Sequence, residues 1–280
     1  MSTIDWLTHA ERLRTRREPF ALVTVLRVIP PTASRPGDKA VVTSDGQIHG
    51  WIGGGCAQPA VIKTVRQALR DGRPRQIRIL PRADEPTGAA SDVTEFGMSC
   101  HSGGTLELFI EPVLPSARLL VIGDSPVARA LAGLAPQVGF DVTLLAFGAS
   151  ADDFPGVARV WSDDAPERVR EAWGCGGFVV VATQGRRDLP GLLAALRVEA
   201  EHLWFVASAR KGAALKAELL ERGCDAAAVA RIEAPAGERI GAQTPEEVAL
   251  AVLASVVAAR RRGQAHADAR RASALIGEER

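Results

Sequence analysis

Beyond position 116 the chain settles into a regular alternation of short apolar runs and helix-length segments, and this rhythm limits its fold more than any other feature. Leu119-Leu120-Val121-Ile122 reads as a buried strand, followed by a helix over 126–137, a strand over 142–146 and a helix at Pro166–Trp173. A strand over 178–182, a helix over 189–201, a strand over 205–207 and a helix over 211–222 continue the pattern. Strands separated by helices of this length run parallel and are joined by right-handed crossovers, with helices covering both sheet faces. The expected fold is therefore α/β: a Rossmann-like, doubly wound parallel-sheet domain over 117–262. Thr244-Pro245-Glu246-Glu247 is a capping box with proline at the first helical position, so a last helix should start there. Residues 263–280 read as a polar C-terminal tail.

The preceding residues have a different grammar. A polar helix over 5–17 carries Trp6, Leu7, Ala10 and Leu13 on one face. The β-rich run Phe20–Ile29 ends at Pro30-Pro31, and Asp45-Gly46 marks a hairpin between strands at 40–43 and 48–52. A helix over 58–70, a strand at Arg75–Leu80, a loop over 84–91 and a strand over 105–110 complete an N-terminal α+β domain, 1–113. Residues 112–116 read as its linker.

Composition narrows the function classes. Hydrophobic residues at 46% and charged residues at 24% are the balance of a soluble globular chain, and the net charge of +1 gives no general drive toward nucleic acid or membrane. The N-terminus shows no signal-peptide pattern, and no apolar run approaches a membrane span. Cys56, Cys100, Cys175 and Cys224 are far apart and form no CxxC, so no disulfide scaffold is expected and a cytoplasmic location is.

Three segments carry candidate chemistry. Gly53-Gly54-Gly55-Cys56 joins a strand to a helix. Such a turn can offer backbone amides and the positive end of a helix to an anion, and the same field favours a thiolate at Cys56. The plainer reading is a tight turn with a small buried cysteine. Gly97-Met98-Ser99-Cys100-His101-Ser102-Gly103-Gly104 gathers soft and nitrogen donors in one loop, which could meet a metal–dithiolene group or bind copper through Cys100 and His101. It could equally be a glycine-rich surface loop. Gly123-Asp124-Ser125-Pro126-Val127-Ala128 occupies the first βα turn of the second domain, where Gly123, Ser125 and the helix start could take a phosphate. Ser125 and Ala128 stand where a dinucleotide fingerprint has glycine, and no acid follows in Val142-Thr143-Leu144-Leu145-Ala146-Phe147 for a ribose hydroxyl. A standard NAD site is therefore not expected. Arg186 and Arg187, after the strand at 178–182, could clamp phosphate or be solvated loop charges. Ser208-Ala209-Arg210-Lys211 is a weaker candidate on the same edge.

These stretches, with Ser34-Arg35-Pro36-Gly37, Ala182-Thr183-Gln184-Gly185-Arg186-Arg187-Asp188 and Ile240-Gly241-Ala242-Gln243-Thr244-Pro245-Glu246-Glu247, resemble the XdhC/CoxI family of accessory proteins for xanthine dehydrogenase and carbon monoxide dehydrogenase. The resemblance runs through both domains in order. It implies a maturation factor, and not a turnover enzyme, that binds molybdenum cofactor as molybdopterin or its dinucleotide form. Such a factor protects the cofactor while a cysteine desulfurase supplies a sulfido ligand, and then delivers it to an apo molybdenum hydroxylase. On that implication Cys100 approaches the molybdenum or receives sulfur, with His101, Ser102, Gly103 and Gly104 around it. Gly53, Gly54 and Gly55 hold an anionic part of the cofactor, Cys56 is a second thiol, Arg35 pairs with phosphate, and the edge with Gly123, Ser125 and Arg186 meets any nucleotide half. A homodimer is expected. Cys-His-Ser-Gly-Gly stands where many xanthine dehydrogenase factors have Cys-Gly-Gly, and resembles the carbon monoxide dehydrogenase branch more closely. Three rival readings remain: copper handling through Cys56, Cys100 and His101 for a molybdenum–copper hydroxylase, an NAD(P)-dependent oxidoreductase, and a scaffold between desulfurase and hydroxylase.

Overall fold

The computed structural model describes residues 5–81, 93–97 and 104–277, with side chains to position 263. The chain divides into two compact units, Met1–Pro115 and Ser116–Arg280.

The first unit is built on a six-stranded sheet in the order β3-β2-β1-β6-β4-β5. Its strands are β1 (Phe20–Ile29), β2 (Lys39–Thr43), β3 (Ile48–Gly50), β4 (Arg75–Leu80), β5 (Val93–Gly97) and β6 (Thr105–Val113). Pairing is antiparallel except between β4 and β5. Alternation along the strands sends Ala21, Val23 and Val25 to the face covered by α2 (Gln58–Asp71), where they meet Val61, Val65 and Ala68. Phe20 and Val41 point the other way, onto Leu13 of α1 (Asp5–Arg16). The parallel strand β5 was not foreseen. Its five residues, Val-Thr-Glu-Phe-Gly, contain no apolar alternation long enough to stand out, and pairing with β4 defines them.

The second unit holds the expected doubly wound sheet, all parallel, in the order β12-β11-β10-β7-β8-β9. Its strands are β7 (Ala117–Ile122), β8 (Phe140–Leu145), β9 (Val160–Trp161), β10 (Phe178–Val181), β11 (His202–Phe205) and β12 (Ile232–Glu233). Leu119, Val121 and Val180 face α3 (Pro126–Leu134) and α8 (Pro245–Gly277), while Leu120, Ile122, Val179 and Val181 face α4 (Pro166–Trp173) and α5 (Asp188–Leu196). From β7 the chain winds outward through β8 and β9, then crosses back to β10 and proceeds the other way. That reversal opens a crevice between the carboxyl ends of β7 and β10.

Several boundaries differ from the sequence reading. The helix expected over 126–137 changes to a 3-10 turn at Ala135–Val138, because Pro136 has no amide to continue the ladder and Gly139 ends it at φ 83°. The helix expected over 189–201 ends at Leu196, and Glu199 forms a parallel bridge with Cys175. The strand expected at 205–207 lies earlier, at His202–Phe205. The two-residue strands β9 and β12, and the short helix α7 (Ala226–Ala230) after α6 (Ala209–Glu221), carry too little pattern to be read alone. The last helix starts at its capping box and continues into the expected tail, to Gly277. Among the described residues no helix is long and apolar enough to cross a membrane.

Candidate functional site

In the first unit the chemistry collects where β1 ends and β6 begins, with Ile29 opposite Thr105. Gly104 lies so close to the end of β1 that an added Cβ would be 2.2 Å from the Pro31 carbonyl oxygen, which sets the start of β6 beside the 30–37 loop. Trp51 donates its indole N–H to the Ala33 carbonyl at 3.3 Å, tying that loop to the segment entering the glycine turn. At the turn itself Gly53 adopts φ 124°, and a Cβ there would sit 2.8 Å from Ser34 Oγ and 3.4 Å from Leu106 Cδ2. Of the three glycines the left-handed position is Gly53. Gly54 and Gly55 have open space where a side chain would be.

Two hydrogen-bonding features stand out at this turn. Ser34 is buried and, among the described residues, its hydroxyl oxygen has no partner. A buried polar atom left this way costs about 1–3 kcal/mol, so a fold that keeps it invites a functional explanation. Among the described residues the amides of Gly53, Gly54 and Gly55 also make no hydrogen bond, and α2 begins a few residues on with Pro59 in its first turn. The Ser34 hydroxyl beside Gly53, and three glycine amides just ahead of the positive end of a helix, are groups suited to an anion's oxygens. Along the same helix runs an open groove of about 720 Å³, from Gly55 past Lys63, Arg66 and Arg70, which adds positive charge.

The remaining predicted residues of this unit fall as follows. Arg35 lies in the turn closed by its own amide donating to Asp38 Oδ2 at 2.8 Å, adjacent to Ser34 and exposed. Cys56 is in a disulfide, a correction to the expectation of four separate thiols. Cys175 and Cys224 are free. Cys100, His101, Ser102 and Gly103 lie outside the described residues. Among the described residues no group of three or more His, Cys, Asp or Glu side chains is placed to hold a metal.

In the second unit the first βα turn is closed by its own side chains. Gly123 has φ 130°, and a Cβ would lie 2.4 Å from the Ala182 carbonyl oxygen, so β7 and β10 approach too closely there for any other residue. Ser125 Oγ donates to that carbonyl at 2.5 Å and accepts from the Ala128 amide at 3.1 Å. Pro126 has no amide to offer. At this helix start the Ala128 amide is taken by Ser125 and Pro126 has none, so fewer donors remain for a pyrophosphate than where glycine stands in place of the serine.

The loop after β10 is held more tightly than a solvated loop needs to be. Asp188 is buried and accepts from Thr183 Oγ1, from the Gly185 amide at 3.0 Å and from the Lys211 ammonium. Burial acts to raise the Asp188 carboxyl, but the hydrogen bonds from Lys211, Thr183 and Gly185 together carry it below the ordinary aspartate value. Arg187 forms two parallel bonds to Asp164, at 2.8 and 2.9 Å, and its guanidinium lies 3.8 Å over the Phe147 ring. Hydrogen bonding to Asp164 holds the Arg187 guanidinium above its ordinary value. Arg186 is more open, 3.4 Å from Asp124. Sequence reasoning singled out the two arginines, but not Asp164 or Phe147, whose roles arise only when β8, β9 and β10 are assembled. The buried hydroxyl of Ser34 was likewise visible only as part of a motif.

Comparison with known proteins accords with this architecture. The family model described as the XdhC Rossmann domain matches residues 119–256, and that of the XdhC and CoxI family matches residues 13–79. The chain is 30% identical over 257 residues to the uncharacterized protein YqeB of Escherichia coli (strain K12), covering 89% of this chain and 45% of YqeB, so it spans less than half of that protein's length. It is 25% identical over 280 residues to the molybdenum cofactor insertion chaperone PaoD of the same organism, covering 85% of this chain and 83% of PaoD. A crystal structure described as a xanthine dehydrogenase from Bacillus halodurans shares 18% identity at a TM-score of 0.46, covering 94% of this chain and 96% of that one.

Proposed function

The chain belongs to the XdhC and CoxI family, and from that premise we propose that it is a maturation factor that binds molybdenum cofactor and passes it to an apo molybdenum hydroxylase. The name of PaoD, a molybdenum cofactor insertion chaperone, supports this reading. The observation that carries it is the glycine turn of the first unit: the Ser34 hydroxyl, without a partner among the described residues, lies beside Gly53, and the amides of Gly53, Gly54 and Gly55 make no hydrogen bond there.

These residues fit the phosphate end of a pterin cofactor. Its oxygens would accept from the Ser34 hydroxyl and the glycine amides, with the start of α2 stabilising the charge and Arg35 pairing from the neighbouring turn. When bound, the cofactor supplies the molybdenum–dithiolene centre that the client enzyme uses. The chain's own task is to hold and shield it. In this proposal Cys100 is the soft ligand, or receives sulfur from a cysteine desulfurase, with His101, Ser102 and Gly103 beside it. Cys56 serves as a second thiol only after its disulfide has been reduced, by two electrons and two protons from an external dithiol. Delivery requires reversible binding, which suits a surface turn made of backbone donors. A cytoplasmic homodimer completes the proposal.

The test uses two substitutions that separate fold from function. Ser34→Ala removes a buried polar atom that has no partner, so the empty protein should be as stable as wild type or slightly more so. Gly54→Val projects into open space, so the empty protein should again fold. Both should lower the molybdopterin retained after co-expression with the cofactor pathway, read as pterin fluorescence per mole of protein. Wild-type retention in both variants, with matched thermal melts, would sink the assignment of this turn.

A further inference from the structure

The turn that carries that reading belongs to the first unit; the crevice of the second unit, on the edge expected to meet any nucleotide half, is itself constructed as a ligand site. Ile122 and Leu145 make its floor, and it encloses about 220 Å³ between Gly123, Phe147 and Arg187. It sits at the carboxyl ends of the strands where the winding reverses, the position at which open α/β sheets take ligands.

We infer that this crevice binds a single nucleotide, as a nucleoside 5′-monophosphate or as the nucleotide moiety of a larger molecule. Three observations carry the inference. The first is a planar wall. Phe147 is 59% exposed at the end of β8, and the Arg187 guanidinium lies over its ring, held from behind by both oxygens of Asp164. A phenyl ring and a fixed guanidinium stacked in this way offer a nucleobase the surface it prefers. The second is backbone strain. Gln184 and Arg187 are held at φ 50° and φ 62°, conformations that residues with a Cβ rarely adopt, and buried Asp188 braces the loop between them. Strain that a buried network maintains is a mark of a pre-formed site. The third is the separation of charge. Arg186 is exposed and weakly paired, so it can receive a phosphate, while Asp124 can accept from a base amino group.

The same geometry sets the size of the ligand. Ser125 occupies the Ala128 amide and Pro126 has none, which leaves the helix start fewer donors for a pyrophosphate, and about 220 Å³ is smaller than the usual site of a drug-sized molecule. One base and its sugar fit, and the second half of a dinucleotide finds no seat. The nicotinamide half of NADH should therefore add nothing to the affinity of its adenosine phosphate.

Isothermal titration of the full chain, purified without molybdenum cofactor, with AMP, GMP, CMP, UMP and NADH tests this directly. Because no pterin is present, the outcome is independent of the turn in the first unit. At least one monophosphate should bind with a dissociation constant below about 1 mM, and NADH should bind no tighter than AMP. Phe147→Ala, at an exposed position, should weaken the best monophosphate by about tenfold or more at an unchanged melting temperature. Arg186→Ala should bring the affinity down to that of the corresponding nucleoside. Absence of saturable binding by all four monophosphates overturns the inference, as does binding that Phe147→Ala leaves within about twofold of wild type.

Discussion

Replacing Asp188 by alanine tests whether the loop after β10 is braced by one buried carboxylate. In wild type that carboxylate accepts from Thr183 Oγ1, the Gly185 amide and Lys211 Nζ. Thr183 is only 3% exposed, so its hydroxyl loses its acceptor with little access to water, at a cost of about 1–2 kcal/mol. The Gly185 amide, nearer the surface, contributes somewhat less. Lys211 is 37% exposed and recovers hydration, which limits its share to about 1 kcal/mol. The expected loss is about 3 kcal/mol, a large part of the stability of an ordinary domain. Urea denaturation followed by tryptophan emission reports it, since Trp161, Trp173 and Trp204 lie in the second unit. The pH dependence supplies the sign. The folded carboxyl titrates below its ordinary value, so its contribution is complete above about pH 4 and is lost as pH falls through the depressed folded value. The difference between wild type and Asp188→Ala should therefore be greatest near neutrality and shrink in acid. A loss under about 1 kcal/mol, or a difference unchanged between about pH 7 and pH 3, would refute the reasoning.

Other positions give shorter tests. Gly123→Ala places a methyl 2.4 Å from the Ala182 carbonyl oxygen at φ 130°, so it should cost about 3 kcal/mol or prevent the second unit from folding, read by thermal melting. Glu247→Ala removes the carboxylate that accepts from the amides of Gln243 and Thr244, and should lower the midpoint of urea denaturation; these amide bonds hold Glu247 below its ordinary value, so the deficit fades in acid. Cys100→Ser keeps size and polarity but removes a soft ligand, and should give a folded protein that retains little pterin; wild-type retention would show that this loop does not contact the cofactor. Cys56→Ala should bind cofactor but deliver it in a form that fails to activate the apo-hydroxylase, and full activation would remove Cys56 from the relay.

The sequence by itself determined the architecture of the second unit, because alternating buried strands and helices of that length leave a right-handed parallel sheet as the economical way to bury both faces. It also marked the strand-to-helix glycine turn, since consecutive glycines before a helix have few other uses, and it marked the broken dinucleotide fingerprint at Ser125. Local rules were enough there, because a cap, a turn or a run of apolar residues acts within a few positions. What only the tertiary structure decided lies between segments distant in sequence. Ser34 and Gly53 come together because β1, β2 and β3 pair side by side, and nothing local tells that the serine hydroxyl will lack a partner among the described residues. Cys56 entered a disulfide that wide sequence spacing had argued against. The crevice wall needs Phe147 from the end of β8, Asp164 from beyond β9 and Arg187 from beyond β10. Those residues meet because neighbouring parallel strands end on one edge, so the crevice is a property of the assembled sheet, and no single segment of the chain encodes it.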